Sequence, residues 1–415
     1  MTAVRISSLS ATVSLGALLA FSCAAFAADV TLQNVKLNSP NGKSTAELRK
    51  VVVTGTNLTR DEVSKLFTVT TSKEDRLAIT SKMKADLFSI PEAVITKNDG
   101  TGRITISGIA ITGIDAGKFA KAAIGGITGG GETKKGGGQV SLKSGPITLS
   151  DGDLSAGLAA VKKGDITEGT WQFGKFTWAG LEISVPEKSR GKIHNHTFKL
   201  GSIEAETKYE GKVPTTSVGV FKDMTFIPAP ASKAGQGMAA FGYKQVTIGM
   251  TVKGAYDPKT KSYKLTDYTI HGNDTAVLSL SGTFGNIDKA AFTGDKRQRM
   301  GALMAGDIDD VTIKVVNNGL INKGIAFFAR MKGAQPDAIK AQWANMAGGM
   351  LPMFLGGDAG AMQSATSVST FIKDPKNLTI KASGKAGPLP FMSFVGIKNP
   401  MQLFSKLKIE VVANK

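Results

Sequence analysis

Apolar side chains recur at every second position over most of this chain. Val30-Thr31-Leu32, Val35-Lys36-Leu37 and Val51-Val52-Val53-Thr54 open the pattern. Ile104-Thr105-Ile106-Ser107, Ile109-Ala110-Ile111 and Val140-Ser141-Leu142-Lys143 continue it, as do Phe173 to Val185 and Phe198 to Tyr209. Successive strand side chains point to opposite faces, so this period of two predicts antiparallel strands with one wet face. The clearest hairpin runs from Val246 to Leu280. The strand Val246 to Val252 is followed by a turn at Tyr256-Asp257-Pro258-Lys259-Thr260-Lys261, then by strands opening at Tyr263 and Ala276. Asn98-Asp99-Gly100 is a second hairpin turn.

Helical spacing interrupts the strands. Thr59-Arg60-Asp61-Glu62 reads as a capping box ahead of a short helix, and Ser72 to Phe88 reads as its continuation. Asp115 to Ile124 is a further helical candidate. The pattern changes character near residue 289. Ala290 to Leu303 is helical, Val311 to Val316 returns to strand, and Gly319 to Lys332 is amphipathic. Pro336 to Met346 has proline in its first turn and sets Ile339 and Trp343 on one face. Ser364 to Lys373 is helical, and Leu378 to Ala382 and Leu407 to Val412 are closing strands. The expected fold is therefore α+β and predominantly antiparallel β, an elongated curved sheet with helices packed on it mainly in the C-terminal third. A β-rich body over 28–288 and an α/β region over 289–415 are its expected parts. The glycine-rich stretch Gly125 to Gly138 lacks the spacing of a phosphate-binding loop, and it reads as a flexible connection.

The N-terminus changes where this fold is expected to work. Arg5, the uncharged apolar run Leu9 to Ala24 and the small residues of Ala25-Phe26-Ala27 match a cleavable signal peptide over residues 1–27, which places the mature protein in the periplasm. Cys23 is the sole cysteine and would leave with it, taking thiol and disulfide chemistry away. Ala20 and the bulky Phe21, where a lipobox wants Leu and a small residue, fit poorly with lipidation of that cysteine. Charge then points to a partner. Lys+Arg 51 against Asp+Glu 33 gives a net charge of +18. For an exported protein this favours a lipid or other anionic envelope surface over nucleic acid.

Catalytic signatures are sparse. No G-x-S-x-G elbow and no H-E-x-x-H occurs in the sequence. His194-Asn195-His196 sets two imidazoles on one side of a strand and is a weak metal candidate that lacks a marked third ligand. Asp151-Gly152-Asp153 and Asp307-Ile308-Asp309-Asp310 read as turns without the ligand spacing of a calcium loop. No cofactor is implied. An envelope hydrolase with an unmarked site is the alternative to a non-catalytic binding or structural role. The methionines are more informative: they read first as gap-filling core, second as an adaptable apolar surface facing lipid or a partner, and last as Cu(I) ligands. Met346, Met350 and Met353 fall on one helical face, and Ala347 to Gly357 is an uncharged segment containing Pro352. With Gly348 to Gly357 read as a loop, Met346, Met350, Leu351, Met353, Phe354 and Leu355 are the expected contacts with ligand or membrane.

The hairpin at Tyr256 to Lys261, the strand Tyr263 to Ile270, the strand Ala276 to Ile287 and then strand and helix around Asn318-Gly319-Leu320 form one further pattern. It resembles the C-terminal half of AsmA-like and YdgA-like periplasmic proteins of Gram-negative bacteria, over residues 246–415. The resemblance implies a long curved antiparallel sheet, a part in envelope maintenance or lipid handling, and no catalysis. Those families usually keep an uncleaved anchor, whereas this N-terminus reads as removable.

Overall fold

The computed structural model describes residues 28–39, 41–133, 137–162, 171–189, 191–395 and 404–415. The signal-like segment with Cys23, the Lys134-Lys135 pair and Met401 lie outside them. Strands dominate, every ladder whose register is described is antiparallel, and helices interrupt them, so the fold class is α+β. Two compact units divide between Asn195 and His196.

In the N-terminal unit, β1 (Ala28–Asn38), β2 (Ser44–Thr56), β3 (Lys84–Lys97) and β4 (Gly102–Asp115) form a meander. Between β2 and β3 lie α1 (Arg60–Leu66) and α2 (Lys73–Thr80). Both ends of the Thr59/Glu62 capping box are made, which satisfies two N–H groups left over at the start of α1. The alternating residues Val51, Val53, Phe88, Ile90 and Ile111 face Val63 and Leu77 of the two helices in one apolar core.

Two helical expectations fail here. Only Lys73–Thr80 of the segment Ser72 to Phe88 is helical, because Ala85, Phe88 and Ile90 are drawn into β3, paired on both sides. Asp115 to Ile124 is the turn and second strand of a hairpin. Ala116 and Gly117 have φ of 48° and 83°, the two left-handed residues that a two-residue hairpin turn requires, and Asp115 pairs with Lys118.

The remaining strands of this unit are β5 (Lys118–Ile124), β6 (Gly126–Glu132), β7 (Gln139–Ser144), β8 (Ile147–Asp153) and β9 (Lys175–Ser189), with α3 (Ser155–Lys162) before β9. Gly126 to Glu132 of the glycine-rich stretch is thus strand and not a flexible connection, while residues 134–136 lie outside the described residues. β4 pairs with β5 in one half and with β6 in the other, while β9 pairs in the same way with β8 and β7. The breaks coincide with Gly108 (φ 64°), Gly125, Gly145 and Gly180 (φ 71°), forming a glycine seam across neighbouring strands. The Cβ of any other residue at Gly108 would sit 3.3 Å from the backbone of Gly125. Ser144, at this seam, is buried and its Oγ accepts a hydrogen bond from Trp178 Nε1 at 2.7 Å. The Asp151-Gly152-Asp153 triplet lies in β8, not in a free turn. Asp153 Oδ1 accepts from the Ser155 N–H at 3.0 Å, at the start of α3.

The C-terminal unit begins inside β10 (Lys192–Glu210) and continues through β11 (Val213–Ile227), β12 (Val246–Asp257), β13 (Ser262–Gly272), β14 (Ala276–Gly285) and β15 (Asp307–Asn317). Consecutive strands pair, so the topology is again a meander. β16 (Asn377–Gly384) pairs with β15, the short β17 (Leu389–Pro390) also adds to β15, and β18 (Leu407–Ala413) pairs with β16. The helices are α4 (Lys233–Ala240), α5 (Ala290–Thr293), α6 (Lys296–Met304), α7 (Leu320–Lys332), α8 (Pro336–Leu355) and α9 (Ala359–Lys373). The shift to a helix-rich pattern near residue 289 therefore lies inside this unit.

Asp307 to Asp310, expected as a turn, forms the first residues of β15. Partial burial, then the neighbouring charges of Asp310 and Asp307, raises the pKa of Asp309. A carboxyl whose pKa is higher in the folded state adds stability below the unfolded carboxylate range and loses it as pH rises through the folded value. Asp309→Asn is accordingly expected to raise the melting temperature at pH 7 by about 1–2 °C, a small shift because solvent screens the site. The gain should vanish below the normal carboxylate range. Melting curves across pH check both the sign and the window.

Candidate functional site

One feature of the C-terminal unit has the shape and lining of a binding site. Its floor begins with strand register. Tyr256 at the end of β12 pairs with Tyr263 at the start of β13, and Tyr263 pairs with Phe284 of β14. Cross-strand partners share a face, so the three rings form a row across the sheet. Gly254 makes room for it, because a side chain there would collide with the Tyr263 hydroxyl.

The opposite wall is carried by the connection between β14 and β15. Asn286 adopts φ 55° and its side-chain amide donates to the Ala305 carbonyl at 2.8 Å. The Ile287 N–H donates to the Lys261 carbonyl, and Lys261 pairs with Asp288 at 3.1 Å, tying this connection to the hairpin turn. The ensuing α5 places Phe292 against Tyr256, with centroids 4.6 Å apart. The capping box of Asp295 and Gln298 then starts α6, which supplies Leu303. Phe391, from the 3-10 turn after β17, closes one end at 6.0 Å from Phe284.

These walls enclose a cleft of about 460 Å³ that also touches Pro214 to Ser217 of β11. That volume lies in the range of small-ligand sites, whose usual lining is apolar with few polar groups. No charged side chain lines it. Tyr256 is 4% exposed, and its hydroxyl donates to the Ile287 carbonyl at 2.7 Å. Burial raises the pKa of this phenol, with Asp288 and Asp257 adding to the effect. The Tyr263 hydroxyl is different. Burial raises its pKa too, but it has no hydrogen-bond partner among the described residues. The cleft therefore offers an apolar body and, among its lining hydroxyls, those of Tyr263 and Thr216 without a partner among the described residues.

The residues singled out from the sequence lie elsewhere. The expected loop Gly348 to Gly357 is not a loop, since α8 continues through Pro352 to Leu355 and ends at Gly356 with φ 101°. Pro352 interrupts one helical hydrogen bond without ending the helix. The N-terminal half of α8 is anchored by Ile339 against Ile325 and Ala329 of α7, and by the Ser369 hydroxyl of α9 on the Ala344 carbonyl at 3.0 Å. Met346, Met350, Met353 and Phe354 follow one helical face and are exposed, Met353 to 72%. Leu351 and Leu355 are half-buried, and Leu355 lines a smaller cavity of about 380 Å³ with Asp358 and Lys408. From Ala341 to Gly357 there is no charged residue.

His194 and His196 both lie in β10. The His196 ring packs on Phe226 at 6.0 Å and its Nδ1 accepts from the Ala229 N–H at 3.3 Å. His271 of β13 lies over Gly249, where a side chain would meet its ring. No group of three histidine, cysteine or acidic side chains fit to hold a metal occurs among the described residues.

The aromatic row was not among the expected contacts, although its signal was present. Tyr256 and Tyr263 flank the hairpin turn, and closing that turn sets them opposite one another. Phe292 and Phe391 carried no such local signal. A protein-family profile described as an uncharacterized protein matches residues 269–414, which include β14, α5, α6 and Phe391 of the cleft. No curated protein matches the chain.

Proposed function

We propose that this protein is an exported, non-catalytic binding protein of the cell envelope that works at an anionic lipid surface. The observation that carries the reading is the outer face of α8, where Met346, Met350, Met353 and Phe354 are exposed on a helix without charge from Ala341 onward. Exposed apolar groups of this kind on one face are the mark of an interaction surface. The net charge, +18 for the whole chain and +17 once Arg5 leaves with residues 1–27, supplies attraction to anionic head groups. No helix among the described residues is long and apolar enough to cross a membrane, so contact through an interfacial face fits the geometry. The signal-like N-terminus and the resemblance to envelope proteins agree with that location. A hydrolytic reading gains no support from His196, whose ring packs on Phe226 and whose Nδ1 accepts from the Ala229 N–H.

Vesicle flotation tests this. The protein without residues 1–27 is expected to float with phosphatidylcholine vesicles containing phosphatidylglycerol at low salt, and to do so less as salt rises, because salt screens surface attraction. Replacing Met350, Met353 and Phe354 together by serine should lower the partition coefficient at least about tenfold, given the worth of partial burial of three large apolar side chains. Circular dichroism should be unchanged, as these side chains face outward. Absence of flotation at low salt, or equal flotation of the variant, would overturn the proposal.

A further inference from the structure

The structure assigns a second lipid contact, separate from the outer face of α8. We infer that the aromatic cleft between β11–β14 and α5–α6 binds a single acyl chain, whose terminal carbonyl or carboxylate accepts a hydrogen bond from the Tyr263 hydroxyl. This deepens the envelope reading and rests on it for the source of the chain.

Three features of the cleft determine the ligand chemistry. First, its walls are Tyr256, Phe284, Ile287, Phe292, Leu303 and Phe391, with no charged side chain among the lining residues. A charged or strongly hydrated group placed among them would lose its solvation without compensation, so the body of the ligand is apolar. Second, the cleft is preformed. The Tyr256 hydroxyl is committed to the Ile287 carbonyl, the Lys261–Asp288 pair fixes the far wall, and the aromatic rings already pack on one another. The space of about 460 Å³ stays open beside this packed aromatic cluster and is not filled by a side chain of the chain itself. Leu303 stands at its edge, 42% exposed, an apolar group that gains by contact with an apolar guest.

Third, one ring hydroxyl of the cleft is left over, that of Tyr263. Tyr263 lies half-buried over Gly254, and its hydroxyl lacks a partner among the described residues while the equivalent group of Tyr256 is satisfied. A phenol that faces the cleft with no protein partner is free to donate to an acceptor on a bound ligand. Thr216 and Ser217 continue a hydroxyl-bearing edge along β11. An acyl chain with one oxygen-bearing end meets all three conditions. A flat polar heterocycle would need further donors and acceptors within the cleft, and a polyol would leave the aromatic walls dry and its own hydroxyls unmatched.

Free fatty acid and a phospholipid chain share this chemistry. The test uses delipidated full-length mature protein and two fluorescent probes, dansyl-labelled undecanoate and N-phenyl-1-naphthylamine, which has an apolar body but no carbonyl. Saturable binding of both is expected. Leu303→Trp, which fills the mouth from a partly exposed position, should weaken both probes at least tenfold. Tyr263→Phe, which keeps the ring and removes the hydroxyl, should weaken the undecanoate probe several-fold and leave naphthylamine binding unchanged. Competition by oleate and by lysophosphatidylglycerol then identifies the source, and displacement by either supports the site.

Absence of saturable binding, or wild-type affinity in Leu303→Trp, would overturn the acyl-chain site. Equal effects of Tyr263→Phe on the two probes would overturn the hydroxyl contact. The Met350, Met353 and Phe354 variant separates the two readings. It should bind both probes normally while failing to float, whereas Leu303→Trp should float and fail to bind the probes.

Discussion

Phe88→Ala is expected to destabilise the N-terminal unit by about 3–5 kcal/mol, the usual cost of removing a fully buried aromatic side chain. Phe88 is 0% exposed and lies in β3, whose neighbours on both sides are hydrogen-bonded strands. Its ring stacks near Phe67, at 6.3 Å between centroids, and its cross-strand neighbours Val53 and Ile111 are buried as well. Strands paired on two sides cannot move inward independently to fill the space, so the cavity term should be felt in full. The measurement is urea denaturation followed by the fluorescence of Trp178, which lies in the same unit and is held by Ser144. Phe88→Leu, which restores most of the volume, should recover more than half of the loss. A change below about 1 kcal/mol for Phe88→Ala would show that the core relaxes around the missing ring.

Gly129→Val comes second, with an expected loss of about 3 kcal/mol. By sequence pattern alone valine belongs in a strand better than glycine does, so propensity predicts the opposite sign. Close approach decides otherwise. A Cβ at this position of β6 would lie 2.5 Å from the Arg103 carbonyl oxygen and 2.8 Å from the Ile104 Cα, both backbone atoms of β4. Backbone held in a paired strand cannot yield as the tip of a flexible side chain can. Gly131 is bound by the same condition, with the Thr101 carbonyl 2.6 Å from where its Cβ would be. Gly237→Ala in α4 is the control, because nothing lies within 4 Å of its added methyl. That change should stabilise by roughly 0.5–1 kcal/mol, as alanine favours a helix over glycine. Thermal melts of the two variants, read against wild type, check the opposite signs. A stable Gly129→Val would mean that β4 and β6 are spaced further apart than this register allows.

The candidate site illustrates how far a local pattern reaches. Tyr256 and Tyr263 bracket a readable turn, so their pairing across β12 and β13 was already implied by the hairpin. Phe292 and Phe391 reach the same cleft from a four-residue helix and from the 3-10 turn beyond β17, and nothing near them in sequence marks that meeting. The methionine face shows the converse. Its spacing on one face was legible, but glycine pairs and Pro352 suggested a loop, whereas neighbouring α7 and α9 hold the segment helical through its first half. Glycine-rich β6 failed for a related reason. Glycine signals freedom when read alone, and here it answers to the backbone of β4 pressed against it.

By itself, the sequence determined the antiparallel β character, the Thr59/Glu62 cap, the hairpin turn at Asp257 to Lys261, and the one-face spacing of Met346, Met350 and Met353. Each of these is set within about ten residues by side-chain alternation, capping or turn chemistry. Tertiary structure decided the glycine seam of the N-terminal unit, the helical state of Gly348 to Leu355, and the assembly of Tyr256, Tyr263, Phe284, Phe292 and Phe391 into one cleft. Those outcomes depend on register and on contacts between segments far apart in the chain. A residue's own neighbours in sequence cannot specify which backbone will come within 3 Å of it, or which distant ring will complete a wall.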